Sequence, residues 1–178
     1  MNRYDRVMDR INRGACILID GATGTEIERR GVPQLDDAWN GGGALSHPDV
    51  LLGVHEDYIR AGAEIVITNT FATHHHALRD AGVADQFEPL NRRGAEIAIE
   101  ARENLDRSDV LVAAGISYWA WSGDWRARAD IRQATEEQAA ILAAAGVDLF
   151  ILEMMSDIDD MLMMLDAAQD RPTQTGSP

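Results

Sequence analysis

The chain has 178 residues, 46% of them hydrophobic, and a formal net charge of −14 from 30 acidic and 16 basic side chains. That length supports one domain with a real core, and the acid excess argues against nucleic-acid or anionic-membrane binding, because a polyanion would be repelled. No apolar stretch approaches the ~20 residues of a membrane span, and the amino terminus leads into an amphipathic helix instead of a signal-peptide core, so a cytoplasmic protein is expected.

In chain order, Tyr4, Val7, Met8 and Ile11 recur at helical spacing before Gly14, which predicts a leading helix whose apolar stripe covers the bottom of a barrel. A first strand follows at about 15–20 and contains Cys16, the single cysteine, expected to be a buried core thiol. One cysteine allows neither an internal disulfide nor a cysteine-rich metal site. The stretch 21–47 reads as an elaborated loop with one helical turn at 23–30, and Asn40-Gly41-Gly42-Gly43 reads as a flexible turn. Pro48 opens a helix with Leu51, Val54, Tyr58 and Ala61 on one face, closed by Gly62.

A second strand is expected at 63–69, then a helix broken near Gly82 and clearest from Phe87 to Leu105. The third strand is 110–116. Thr135-Glu136-Glu137-Gln138 has capping-box spacing, predicting a helix from there to Gly146. A fourth strand at about 147–152 precedes a last helix, capped by Ser156, with Ile158, Met161, Leu162, Leu165 and Ala168 facing inward. Strict alternation over four strand–helix units predicts an α/β fold with a parallel sheet. The expected division is one domain over 1–170 and a polar tail over 171–178.

Three of the strands end on polar groups: Asp20 and Gly21 after the first, Asn69, Thr70 and Phe71 after the second, and Glu153 after the fourth. Chemistry in α/β proteins is placed at this carboxyl end of the strands. A strand-end acid can equally cap a helix or pair with a cation, Asn69 can be a left-handed turn residue, and Phe71 can be a core aromatic. Thr23, Gly24 and Thr25 offer amide and hydroxyl donors to a carboxylate, or form a Thr-capped turn. His74, His75 and His76 are read as a solvated helix start, since consecutive helix residues point about 100° apart and do not converge on one ion. The tryptophans of 119–125 suit a lid, a stacking surface or a partner contact.

The segments DGATGTE at 20–26, AGAEIVITNTF at 61–71 and AGVDLFILE at 145–153 resemble, in order and spacing, the homocysteine-binding barrel of the homocysteine S-methyltransferase family. The resemblance runs from about residue 15 to about 170. It implies the amino-terminal half of a (β/α)8 TIM-type barrel, which needs roughly 250 residues when complete. It further implies a pocket for homocysteine or a methionine-like amino acid. Asp20 and Glu153 would hold the substrate ammonium, and Gly21, Thr23, Asn69, Thr70 and Phe71 would bind or line. The implied reaction is methyl transfer to the homocysteine thiol, giving methionine, with zinc lowering the thiol pKa. The family's zinc-binding cysteines follow later strands and are absent from this chain. The isolated chain is therefore expected to be inactive, with no catalytic or metal-ligating residue of its own, and the barrel to be completed by a second copy or a partner chain. The alternative is a non-catalytic half barrel that binds an amino acid or acts as a scaffold. A Schiff-base lyase or aldolase is disfavoured, because the chain contains no lysine.

Overall fold

The computed structural model describes residues 2–119 and 127–169. The leading helix α1 spans Arg3–Asn12, α2 Thr23–Arg29, the single turn α3 Gly43–Ser46, and α4 Pro48–Arg60. Strand β1 (Ile65–Ile67) is followed by α5 (His75–Asp80), a 3-10 turn at Ala84–Gln86, and α6 (Phe87–Asn104). Then come β2 (Leu111–Ile116), α7 (Arg128–Ala145), β3 (Leu149–Leu152) and α8 (Ile158–Gln169).

The strands form one parallel sheet in the order β1-β2-β3, with Ile65 opposite Leu111 and Ala113 opposite Leu149. The fold is therefore α/β with strands and helices alternating, as expected, but the sheet has three strands where four were predicted. The predicted first strand, at 15–20, survives only as an isolated parallel bridge between Ile19 and Ile65, since the amides of Glu64 and Ile65 both turn to the Leu18 carbonyl. With a neighbour on one side only, this segment leaves Leu18 and Ile19 more than half exposed. Cys16 is exposed too, and the expectation of a buried core thiol is corrected.

Period-two alternation splits the sheet into two faces. Val66 and Val112 point outward into a cluster with Ile59 of α4 and Ala98 and Ala101 of α6. Ala114, Ile116, Phe150 and Leu152 point the same way, under Ile131, Leu142 and Met164 of α7 and α8. Ile65, Ile67, Leu111, Ala113, Leu149 and Ile151 face inward, where Val7 of α1 packs against them. The leading helix, expected at the bottom of a barrel, sets Val7 against these inner-face residues. Asp148 secures the amino end of the sheet: its carboxylate accepts from the Val112 amide at 2.8 Å, from Arg102 of α6 at 3.0 Å and from Arg3 of α1 at 3.0 Å.

Several helix boundaries differ from expectation. Helix α7 begins at Arg128, about two turns before the presumed capping box, and the buried Thr135 hydroxyl donates back to the Ile131 carbonyl at 2.8 Å. Gly146 does close the helix, at φ 96°. At the start of α8 it is Asp157 that accepts the Asp160 amide, at 2.9 Å, while the Ser156 hydroxyl meets the Tyr118 hydroxyl at 3.0 Å. Met164, Ala167 and Ala168 are the buried stripe of α8, whereas Ile158, Leu162 and Leu165 are exposed. The glycine-rich turn is packed, not flexible: Gly41 and Gly43 are buried, and a Cβ on Gly41 would press on the Ala38 and Ala72 carbonyls at 3.0 and 3.1 Å. No helix among the described residues is long and apolar enough to cross a membrane. The expected polar tail and most of the 119–125 segment lie outside the described residues.

Candidate functional site

The strand ends meet at one cleft of about 230 Å³, lined by Gly21, Ala22, Thr23 and Gly24, by Trp39, Asn40 and Gly41, by Ile67 to Asn69 with Phe71 and Ala72, and by Glu153 and Met154. Each wall is one loop at the carboxyl end of the sheet.

Asp20 is not among the lining residues: it is buried, 8% exposed, directly before Gly21 of the first wall. The bridge at Ile19 carries the chain alongside β1, so that the Asp20 amide donates to the Ile65 carbonyl at 3.0 Å and its Oδ2 accepts the Ile67 amide at 2.8 Å. One carboxylate oxygen thus caps β1. The other, Oδ1, is buried with no hydrogen-bond partner, a costly state for a charged group. Burial raises its pKa from 3.8 to about 7, against the opposing Ile67 amide bond, and repulsion from Glu153 adds to the rise.

Glu153 ends β3, its amide donating to the Ile116 carbonyl at 2.9 Å. Its side chain crosses the face of β2 over Gly115, where a Cβ would overlap the carboxylate. Only glycine leaves that path open. Burial pushes the Glu153 pKa up as well. Met154 follows at φ 54°, a conformation uncommon for non-glycine residues, and sits exposed on the cleft rim. A buried carboxylate with one oxygen lacking a donor, and a half-buried one whose charge it feels, call for a cationic hydrogen-bond donor.

The other expected residues divide. Gly21, Thr23, Asn69 and Phe71 line the cleft. The missing Gly21 side chain admits the Tyr58 hydroxyl, which a Cβ would meet at 2.9 Å. Thr23 opens α2, whose N-cap is Ala22 without a side-chain cap bond, so the Thr-capped turn does not form. Asn69 is buried, and its Nδ2 donates to the Asn40 carbonyl at 2.8 Å, joining two walls. Thr70 is not on the cleft surface: it is fully buried beneath the wall, its hydroxyl donating to the Gly115 carbonyl at 2.8 Å beside the Thr68 hydroxyl at 2.6 Å.

Trp39, Asn40 and Met154 were not anticipated as lining residues. Asn40 is 3% exposed, with Nδ2 donating to the Gly24 carbonyl at 2.8 Å and Oδ1 buried without a partner. Trp39 holds φ 44°, and its carbonyl accepts the Leu35 amide at 2.6 Å, which closes a tight turn and lays the indole beside Gly24. The polar-breaker composition of 33–43 signals only a loop, and its contact with the strand ends is a tertiary fact.

The histidines are not a solvated helix start. His74 is buried and accepts the Ala77 amide as the N-cap of α5, and burial lowers its pKa to about 3. His76 is buried too, its Nε2 3.2 Å from the Tyr118 carbonyl. His75 alone reaches the surface, stacked on Phe87 and 2.5 Å from Glu137. Among the described residues no three His, Cys, Asp or Glu side chains are grouped to hold a metal ion. A thiolate zinc site of the expected kind does not fit these residues: the one thiol, Cys16, is exposed in the segment before Ile19 and is not among the cleft-lining residues.

The family profile of homocysteine S-methyltransferase matches residues 17–176. Homocysteine S-methyltransferase 4 of Zea mays is 32% identical over 162 residues, covering 79% of this chain and 47% of the maize protein. Betaine–homocysteine S-methyltransferase 1 of Bos taurus is 25% identical over 165 residues, covering 90% of this chain and 40% of the bovine one. The metallated homocysteine methyltransferase MmuM of Escherichia coli superposes with a TM-score of 0.77 at 25% identity, over 93% of this chain and 62% of that one. The chain thus spans about half the length of the curated relatives it matches. On the profile match, which covers most of its length, this chain belongs to the homocysteine S-methyltransferase family.

Proposed function

We propose that the cleft binds homocysteine as the amino-acid acceptor of a methyl transfer that yields methionine. The observation that carries this reading is the Asp20 carboxylate, buried with one oxygen lacking a donor and close enough to Glu153 to feel its charge. An α-ammonium group supplies what is missing, because it brings positive charge and three N–H donors to two desolvated acids. Asn69 and Asn40 brace the opposite wall, the start of α2 at Thr23 offers donors to the substrate carboxylate, and Phe71, Trp39 and Met154 provide apolar surface for the thioether-forming side chain.

The sheet reads as the amino-terminal half of a (β/α)8 barrel, with 1–170 as that unit. Exposed Ile19 at one edge and half-buried Leu149 and Ile151 at the other are the inner-face residues further strands would cover. A second copy or a partner chain supplies that cover. In relatives of this type zinc would lower the thiol pKa and fix the sulfur for attack. The residues described here do not assemble such a site, so the metal chemistry needs ligands from outside this half, and the isolated half is expected to bind acceptor without turnover. A purely amino-acid-binding half barrel is the second reading, favoured by the same lack of a thiolate cluster.

Calorimetric titration with L-homocysteine and with its des-amino analogue 4-mercaptobutanoate tests the ammonium assignment. Binding of homocysteine at least tenfold tighter than the analogue is expected, about 1.4 kcal/mol or more for one lost charged contact. Equal affinities would overturn it.

A further inference from the structure

Behind the cleft wall lies a cluster of buried polar side chains that neither carboxylate touches. Gln138 of α7 and Asn91 of α6 are both 0% exposed, as is Thr73, which follows the wall segment. The Gln138 Nε2 donates to the Thr70 carbonyl at 3.0 Å and to Asn91 Oδ1 at 2.9 Å, with the Thr73 hydroxyl at 3.4 Å. Asn91 Nδ2 donates to the carbonyls of Thr73, at 2.9 Å, and Phe87, at 2.8 Å. The Thr73 hydroxyl lies 2.7 Å from Asn91 Oδ1 and 3.0 Å from the Thr70 carbonyl.

The orientation of the Gln138 amide is fixed by chemistry, because turning it over would set its oxygen against two acceptors, the Thr70 carbonyl and Asn91 Oδ1. Its own Oε1 is left buried without a partner. A core filled for stability alone would place an apolar side chain here, since a partly satisfied amide costs more than it returns. What the amide does is hold the Thr70 carbonyl at the midpoint of a segment whose flanks, Thr68, Asn69, Phe71 and Ala72, line the cleft. The constraint continues outward: Asn69 holds the Asn40 carbonyl, and Asn40 holds the Gly24 carbonyl. The Gly94 backbone of α6 approaches so closely that a Cβ would stand 3.1 Å from the Thr70 methyl, which leaves the segment little room to shift.

We propose that Gln138 is a positioning residue: through the Thr70 carbonyl and the Asn91–Thr73 pair it sets the conformation of the 68–72 wall and thereby the fit of the amino-acid ligand. This rests on the reading of the cleft as an amino-acid site, and two readouts keep the claims separable. The variant is Gln138→Met, which preserves length and volume while removing both donors. The control is Thr135→Val, on the same helix, whose hydroxyl bonds only the Ile131 carbonyl of its own helix. Both variants are compared with the unaltered full chain below their melting temperatures. For Gln138→Met, faster hydrogen exchange at the Thr70 and Thr73 amides and roughly tenfold weaker L-homocysteine binding are expected, since small misplacements of a positioning wall carry costs of that size or more. Thr135→Val should lower the melting temperature and change neither. Unchanged exchange at 70 and 73 in Gln138→Met, with only a lower melting temperature, would overturn the inference. Should the unaltered chain bind no homocysteine, the functional reading fails, and the exchange result still decides the role of Gln138.

Discussion

Asp20 holds opposed structural and functional demands in one side chain. Its pKa is raised from 3.8 to about 7, so the folded state keeps a proton that the unfolded chain releases. Stability from this group is present below about pH 4 and is lost as pH rises through about 7. Asp20→Asn retains an oxygen for the Ile67 amide and removes the buried charge. The variant is expected to be more stable than the unaltered protein at pH 8, by on the order of 2 kcal/mol, and to converge with it near pH 3.5. Chemical denaturation at the two pH values checks this; equal stability at pH 8 would show that Asp20 carries no desolvation cost. At this scale much was legible. Asp20, Gly21, Thr23, Asn69, Phe71 and Glu153 are recognisable because each follows an apolar run that ends at this side of the sheet; five of them line the cleft, and Asp20 is buried next to Gly21. Thr70 belongs to the same run but alternates inward to β2, and nothing in the local pattern tells a wall residue from its support.

Helices and strands were legible where period and punctuation agree. Pro48 and Gly62 bracket α4, Gly146 closes α7, and the break at Gly82 falls between α5 and the 3-10 turn. Errors arose where a local signal competed with packing. Thr135 has cap-box spacing yet sits buried inside α7, because Ile131, a turn earlier, packs with Ala114 and Ile116 of β2 and extends the helix toward Arg128. The α8 stripe was misjudged by rotation: with apolar residues nearly all round, sequence alone does not choose which of them meet α7. His55 on α4 is a position whose cost no sequence pattern reveals. It is fully buried, neither ring nitrogen has a hydrogen-bond partner, and burial lowers its pKa to about 4. The unfolded chain takes the proton first, so this group costs stability progressively as pH falls from about 6.5 toward 4. His55→Leu should raise stability by about 1–2 kcal/mol at pH 7, the cost of unsatisfied buried polar atoms, and by more at pH 5. Thermal melts at both pH values would count against this if the variant melted lower at pH 5.

The whole molecule presents an incompletely covered sheet beside the polar cleft. Ile19 at one sheet edge and the α8 residues Ile158, Leu162 and Leu165 are exposed, and Leu149 and Ile151 at the other edge are half-buried, a distribution that favours association. Light scattering at micromolar concentration is expected to show a dimer or larger species, and a compact stable monomer would remove the case for completion by another chain. The proposed ammonium contacts need no second chain, since Asp20 and Glu153 both belong to this one.

Calorimetry of L-homocysteine binding to the unaltered protein, Glu153→Gln and Asp20→Asn at pH 8 is the most direct test of the ammonium assignment. Each substitution is predicted to weaken binding by about 1.5–3 kcal/mol, the range for a charged hydrogen bond, and binding to the unaltered protein is predicted to weaken as pH falls below about 7, where Asp20 takes up its proton. Unchanged affinity in both variants, or no measurable binding by the unaltered protein, would contradict the assignment of this cleft.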